Sequence, residues 1–355
     1  MRVHASSGTT GRPSYVGVTA RDAESWADVC ARVFFCEGMR REDVVLHAFG
    51  LGFFVGGLPL ADAVQRIGAT FIPIGTGATE RLLMAAQDLG ATILCCTPSY
   101  ARYLAEHMRT VAGREPSSLG VRRVLVGAEP GGSVPAVRDR IAADFDAEVR
   151  ESVGNADVLP MYAAVCEESD GNHLLARDEL ALELVDPSSG EVLPWEDGAE
   201  GELVATHLKR ECVPLVRFRT RDRVTVNATP CSCGRTGPRI RCVGRTDDLL
   251  IVNGVNVWPS AVSDIVAGMH PRTTGVLEIV VPDPPPAVKP PLRVRVEYAP
   301  DAGDLTELKA KIEDSIRSRL IARADVELVP PGGLPRSEMK SRLVRVLSEE
   351  GAPAP

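Results

Sequence analysis

The sequence predicts an α/β protein of two domains, a large N-terminal one built on parallel sheet with a β segment, then a small α+β one. Three observations predict this. Apolar strands alternate with helices at short spacing through residues 16–126, the pattern of a parallel sheet. From about Leu180 the texture changes to strands broken by Pro/Gly turns (LALELVDPSSGEVLP, GELVATHL, LVRFRTRDRVTV), which reads as antiparallel. After GRTDDLLIVNGVNVWPS a separate set of helices and strands begins. The boundary is expected between Arg245 and Asp248, giving domains 1–246 and 247–355.

Taken in order, Val16–Val18 reads as a short strand, and Thr19 as the N-cap of an amphipathic helix over Ala20–Phe35. Asp43–Ala48 (DVVLHA) is a buried strand, followed by FGLGFFVGGLPLADAVQRIG, a glycine-rich turn running into a helix. A strand over Thr70–Ile74, a helix over Thr79–Leu89, a strand over Ala91–Cys96 and a helix over Pro98–Met108 come next. Val121–Val126 is a further strand, ahead of GAEPGG. In open parallel sheets, ligands collect at the carboxyl ends of the strands, so the turns that follow these strands are the places to search. In the small domain, helices are expected at Ser260–Met269 and Leu305–Ile321, with strands at Val276–Val281 and Leu292–Tyr298. Pro282–Pro291 reads as a stiff surface loop.

Composition narrows the function. With 355 residues, 44% of them hydrophobic and 25% charged, the chain can build an ordinary core. A net charge of −8 argues against nucleic acid or an anionic membrane as the main partner. No apolar run approaches the roughly 20 residues that span a bilayer. MRVHASSGTT has no apolar signal-peptide region, and nine cysteines without an export signal point to a reducing cytoplasm. Thiols or metal ligands are therefore expected, not a disulfide framework.

Two stretches carry chemistry on their residue types alone. Ser6, Ser7, Gly8, Thr9, Thr10 and Gly11 combine hydroxyl donors with glycines that let backbone N–H groups approach an anion, and Arg12 adds a fixed positive charge. Such a loop can hold a polyphosphate; a flexible linker has the same composition. Cys166, His173, Cys231 and Cys233 offer three thiolates and one imidazole, a full tetrahedral set for a structural Zn²⁺, with Gly171 and Gly234 permitting tight turns. Four unrelated core residues are the alternative, and Cys242 and Cys212 are alternative ligands.

HASSGTTGRPSYVGVT resembles the phosphate loop of the adenylate-forming enzymes, in particular their phenylacetate–CoA ligase branch. The resemblance continues in family order along the chain. It implies a large adenylation domain carrying a zinc-binding insert, with a small mobile domain behind it. It also implies that the loop grips the β- and γ-phosphates of ATP, with Arg12 where the family usually has Lys. Ala128, Glu129 and Pro130 then stand in the GAEPW-type adenine motif, with Gly131 in place of Trp. Phe49, Phe54, Val153 and Gly154 would line the carboxylate pocket and suit an aromatic acid. In the Tyr-Gly-x-Thr/Ser-Glu motif this chain has Val153 for Tyr, Ala156 for the hydroxyl residue and Asp157 for the Mg²⁺-binding Glu. Asp222, in RFRTRD beside the family's RYRTGD, would be the ribose ligand, and Arg221 replaces Gly.

GRTDD resembles the family's hinge motif GRSDD, which implies that Arg245 contacts the nucleotide and Asp247 is the hinge. By the same resemblance Lys340, in LPRSEMK beside IPRSEGK, would be the catalytic lysine that bridges carboxylate and α-phosphate. The C-x6-H and P-C-x-C-G-R-T patterns match the branch as well. The implied activity is ligation of an aromatic acid to CoA through an acyl-AMP, with ATP and Mg²⁺. A carrier protein or an amine as acceptor, a homodimer, and a degenerate binding subunit stay open. Family members carry several dozen residues before the loop, so the first part of the large domain is expected to be shortened here.

Overall fold

The computed structural model describes residues 1–5, 14–129, 131–168, 171–335 and 343–347. It divides into two compact units, residues 1–242 and the part that begins at Val243. The first unit opens with a hairpin, β1 (Arg2–Ala5) and β2 (Tyr15–Val18), and helix α1 (Ala20–Cys36). Strands and helices then alternate: β3 (Val44–His47), α2 (Leu58–Ile67), β4 (Thr70–Pro73), α3 (Thr79–Leu89), β5 (Ile93–Cys96), α4 (Pro98–Thr110), β6 (Arg123–Val126) and α5 (Pro135–Phe145). A run of strands follows: β7 (Glu148–Asn155), β8 (Leu159–Val165), β9 (Asn172–Leu174), β10 (Leu180–Val185), β11 (Val192–Leu193), β12 (Glu200–His207), β13 (Phe218–Asn227) and β14 (Arg239–Arg245). The second unit holds β15 (Leu250–Val252), β16 (Val255–Val257), α6 (Pro259–Ala267), β17 (Thr273–Val281), β18 (Ala287–Val288), β19 (Leu292–Tyr298), α7 (Leu305–Leu320), β20 (Ala324–Val329) and β21 (Val344–Val346).

Local chemistry explains the helix starts. Thr19 Oγ1 accepts from Asp22 N at 3.1 Å and Asp22 Oδ2 accepts from Thr19 N at 3.0 Å, a reciprocal capping box. Trp26, Val29, Cys30, Val33 and Phe34 then recur at helical spacing and turn one buried stripe of α1 inward. Each such side chain contributes roughly 1.5–3 kcal/mol when removed from water. α2 starts at Gly57, where an added Cβ would come 2.5 Å from the Leu51 carbonyl oxygen, so the turn before it closes only around glycine.

The parallel part and the β segment are one sheet of twelve strands, in the order β11-β10-β12-β13-β14-β9-β8-β7-β6-β5-β3-β4. β4, β3, β5, β6 and β7 run parallel, and β5 (ILCC) is buried throughout, as a central parallel strand covered on both faces must be. β7 is the turning point: parallel to β6, antiparallel to β8. In the second unit, β20-β19-β17-β21 form a sheet packed by α6 and α7 around Val262, Ile265, Val294, Ile312 and Ile316.

Two expectations need correction. The stretch Pro282–Pro291 is not all loop, because Ala287 and Val288 form β18 and pair in parallel with Ile251 and Val252. β1, β7, β8 and β9 are strands that periodicity did not announce. Among the described residues, no helix is long and apolar enough to cross a membrane.

Candidate functional site

Three turns meet around the ends of the Ser/Thr/Gly stretch. Ala5 pairs with Tyr15 in the β1–β2 hairpin, so residues 6–14 connect the two strands. Ser6, Ser7, Gly8, Thr9, Thr10, Gly11 and Arg12 themselves lie outside the described residues. On the β1 side, Ala5 N donates to the carbonyl of Phe53 at 2.8 Å, in the glycine-rich turn after β3. On the β2 side, Ser14 Oγ donates to Asp157 Oδ1 at 2.9 Å, in the turn between β7 and β8. Asp157 N is held by Asn155 Oδ1 at 2.9 Å, so the carboxylate is set by its own turn.

Arg210 locks this arrangement. Its guanidinium donates to the carbonyls of Asp157 and Val158, each at 3.1 Å, of Gly17 at 3.2 Å and of Cys212 at 2.8 Å. One fork therefore joins β2, the β7–β8 turn and the β12–β13 connection. His207 Nε2 bonds the Val158 carbonyl at 2.8 Å from the same side. Sequence reasoning missed Arg210 and Ser14. LKREC reads as solvated surface, and the only signal for Ser14 is its place directly behind the loop.

Phe49 and Phe54 flank the turn after β3. Phe49 is half-buried, packs against the core below, and sets its ring 5.4 Å from that of His47. His47 is fully buried with Nε2 bonded to the Gly56 carbonyl at 2.9 Å, and burial pulls its pKa down to about 4. It stays neutral and supports the turn. Phe54 is partly exposed and bonds Gly52 through its backbone at 2.8 Å.

At the carboxyl end of β6, Ala128 takes a left-handed φ of 71°. Glu129 turns its carboxylate to the start of α4, where Oε1 accepts from Ser99 N at 2.6 Å. That side chain satisfies a helix N-terminus, which favours negative charge. Pro130 lies outside the described residues. On β7, Val153 is partly buried, and Gly154 meets β8 so closely that a Cβ would fall 1.8 Å from the Pro160 carbonyl oxygen. Only glycine fits there.

Asp222 sits on β13, four places from β7 in the sheet order. Arg219 pairs with Val204 and Arg223 with Glu202, so Thr220, Arg221 and Asp222 bulge opposite Leu203. Asp222 N donates to Thr220 Oγ1 at 3.1 Å, and Arg221 takes φ 68°. The glycine of the family motif has a physical reason here. In the second unit, Arg245 forms a bidentate pair with Asp247, Nε–Oδ1 2.9 Å and Nη2–Oδ2 2.8 Å. Lys340 lies outside the described residues.

A second centre lies on the register of β8, β9 and β14, where Ala164 and Arg239 both pair with His173. Cys166, His173, Cys231 and Cys233 bring their ligand atoms within 4.8 Å of one another. Cys166 Sγ and Cys231 Sγ are 3.7 Å apart, and Cys233 Sγ and His173 Nε2 3.5 Å. Tetrahedral Zn²⁺ with ordinary bond lengths demands about 3.75 Å between two sulfurs and about 3.55 Å between sulfur and nitrogen. Burial, then Arg235 and Arg239, lower the His173 pKa to about 4, which keeps the imidazole in the neutral form a metal binds. Arg235 N donates to Cys233 Sγ at 3.5 Å. Cys212 is elsewhere, against Gly17, and Cys242 packs on another core.

Comparison with known proteins adds the family. Residues 4–207 match the model of the AMP-binding enzymes, and residues 254–347 that of the AMP-binding enzyme C-terminal domain. The chain is 36% identical to phenylacetate-coenzyme A ligase of Thermus thermophilus, covering 98% of this chain and 80% of that one. It is 34% identical to the phenylacetate-coenzyme A ligase of Escherichia coli, over 96% of this chain and 77% of that one. Among solved structures, 2-hydroxyisobutyryl-CoA ligase in the postadenylation state with 2-HIB-AMP superposes with a TM-score of 0.90 at 30% identity, over 99% of this chain and 74% of that one.

Proposed function

The chain belongs to the AMP-binding enzyme family, and from that membership we propose an ATP-dependent carboxylate–CoA ligase that works through an acyl-AMP. The observation that carries the reading is the meeting of three turns: the ends of the Ser/Thr/Gly stretch, the aromatic turn at Phe53 and the carboxylate of Asp157. A polyphosphate, an organic acid and a divalent cation need that set of neighbours. The acid's carboxylate attacks the α-phosphorus of ATP, pyrophosphate leaves, and the thiol of CoA then displaces AMP to give the thioester. Most of the rate would come from positioning and from fixed charge where charge develops.

In this reading Ser6–Gly11 and Arg12 take the β- and γ-phosphates, and Asp157 takes Mg²⁺ through oxygen. Ala128–Pro130 border the adenine by their backbone, since the Glu129 carboxylate is bonded to α4. Asp222 accepts from the ribose hydroxyls. Lys340 neutralises the carboxylate and α-phosphate, while Arg245 and Asp247 serve contact and hinge. Phe49, Phe54, Val153 and Gly154 border an aromatic acid, with rings worth roughly 0.5–1.5 kcal/mol beyond area burial. The names of the phenylacetate ligases support that choice of acid.

Cys166, His173, Cys231 and Cys233 would hold Zn²⁺ as a closed set that ties three strands and has no position for substrate. The test is carboxylate-dependent ATP–pyrophosphate exchange over a panel of aryl and alkyl acids, then CoA addition. Exchange with an aryl acid and loss of it in Lys340→Ala, by at least about 100-fold, is the expected result. A folded protein that exchanges with no acid would refute the reading.

A further inference from the structure

Phe53 is a bulky residue in the left-handed region, φ 69°, a conformation in which L side chains are rare. The residue is 49% exposed, so core packing does not hold it there. Two contacts do. Its carbonyl accepts from Ala5 N at 2.8 Å, on β1. Its ring lies 5.8 Å from that of Tyr15, tilted by 57°, on β2 directly across from Ala5. Tyr15 is itself 64% exposed, so the pair is a surface contact between two elements and not part of a core. β1 is also tied to α2, the helix that follows the Phe53 turn, by an ion pair between Arg2 and Asp62.

One residue thus grips both strands leading into the Ser/Thr/Gly stretch, and it lies in the same turn as Phe54, four residues after Phe49. The backbone arm and the ring arm are chemically separate. Glycine at 53 would keep the left-handed turn and the carbonyl at no steric cost and remove only the ring.

We propose that Phe53 is a positioning residue that couples the aromatic turn to the two strands bracketing the phosphate-binding stretch. An acid seated on that turn then steadies the strands, and ATP binds more tightly with the acid present than without it. By linkage the effect is reciprocal, so ATP tightens the acid by the same factor. The inference rests on the ligase reading given above, and it concerns residues that neither reactant needs to touch.

The test uses the full chain as parent, Phe53→Gly, Phe53→Tyr, Tyr15→Ala and the double variant Phe53→Gly/Tyr15→Ala. Hydrogen exchange of the amides in residues 2–5 and 15–18 is followed without ligands, and the KM for ATP in pyrophosphate exchange with the acid that supports it. Phe53→Gly and Tyr15→Ala are each expected to speed amide exchange and raise the KM for ATP about two- to tenfold, with kcat changed less. Phe53→Tyr should behave as the parent, and the double variant should do no worse than either single one. Exchange rates equal to the parent's in Phe53→Gly, or single effects that multiply in the double variant, would overturn the coupling. If the parent supports no pyrophosphate exchange, the ligase reading fails, and the amide-exchange arm still decides whether Phe53 ties the strands.

Discussion

Arg221 occupies a backbone position that glycine would take without strain. It lies at φ 68° in the bulge that carries Asp222, and its N–H reaches Glu202 at 3.3 Å. A left-handed residue with a Cβ costs roughly 1–2 kcal/mol, and glycine returns part of that through its freer unfolded chain. Arg221→Gly should therefore stabilise the protein by about 1 kcal/mol, read as a higher denaturation midpoint. Unchanged or lower stability would show that the bulge is held by something other than the turn geometry.

Glu37 poses the opposite problem. It is fully buried, and neither carboxylate oxygen has a partner at hydrogen-bonding geometry. Burial first, then the nearby Glu151, push its pKa well above the usual carboxylate range, with Arg150 and Ser152 pulling the other way. Its folded pKa is raised, so its stabilising contribution is complete below about pH 4.5 and is lost as pH rises through the folded value. Glu37→Gln, which keeps the shape of the protonated acid, should melt higher than the parent at pH 8, by about 1–3 kcal/mol. The two curves should converge near pH 4; a gap independent of pH would locate the effect in packing instead.

At the scale of elements, the loops at Cys166 and at Cys231–Cys233 are held by β8, β9 and β14. The backbone register brings the four ligand atoms together before any ion is considered. If Zn²⁺ closes the set, elemental analysis will find one per chain. Cys231→Ser should lose it and melt lower by on the order of 5 °C. Full stability after exhaustive chelation would leave the four as core residues.

The whole molecule has an acid limb that can be predicted from its buried groups. The His47 pKa falls from 6.5 to about 4, so between those values the unfolded chain takes a proton that the folded one refuses. That costs on the order of 3 kcal/mol as pH falls from 6.5 to 4. Burial raises the Asp22 pKa, but the N–H groups of Glu211, Thr19 and Cys212 and the Thr19 hydroxyl outweigh it, and the net shift is down. For Asp43, Thr92, Arg122 and the Arg40 N–H likewise outweigh burial. Both therefore withdraw stability as pH falls below the usual carboxylate range. Glu37 and Glu151, held above it, work against that limb. Thermal melting across pH 4–8 should fall on the acid side, and more steeply in Glu37→Gln. In Glu37→Gln, where that opposition is weaker, a profile flat across pH 4–8 would mean that His47 titrates normally.

What was legible in the chain by itself was whatever neighbouring residues decide together. Periodicity within one segment defines elements, so α3 lies over Thr79–Leu89 and β19 over Leu292–Tyr298 as expected. Motifs are contiguous, so family membership and the candidate residues could be read in order. β7 and β8 could not, because ESVGNADVLPMYAAV has no alternation; β8 is almost wholly buried and β7 changes partners from parallel to antiparallel. Nor could the single twelve-stranded sheet, the Arg210 fork or the Phe53–Tyr15 pair. Each joins residues tens to hundreds of positions apart, and only the packing of the sheet brings them within a few ångströms. A hydrogen bond or ring contact depends on that distance and leaves no mark on local composition.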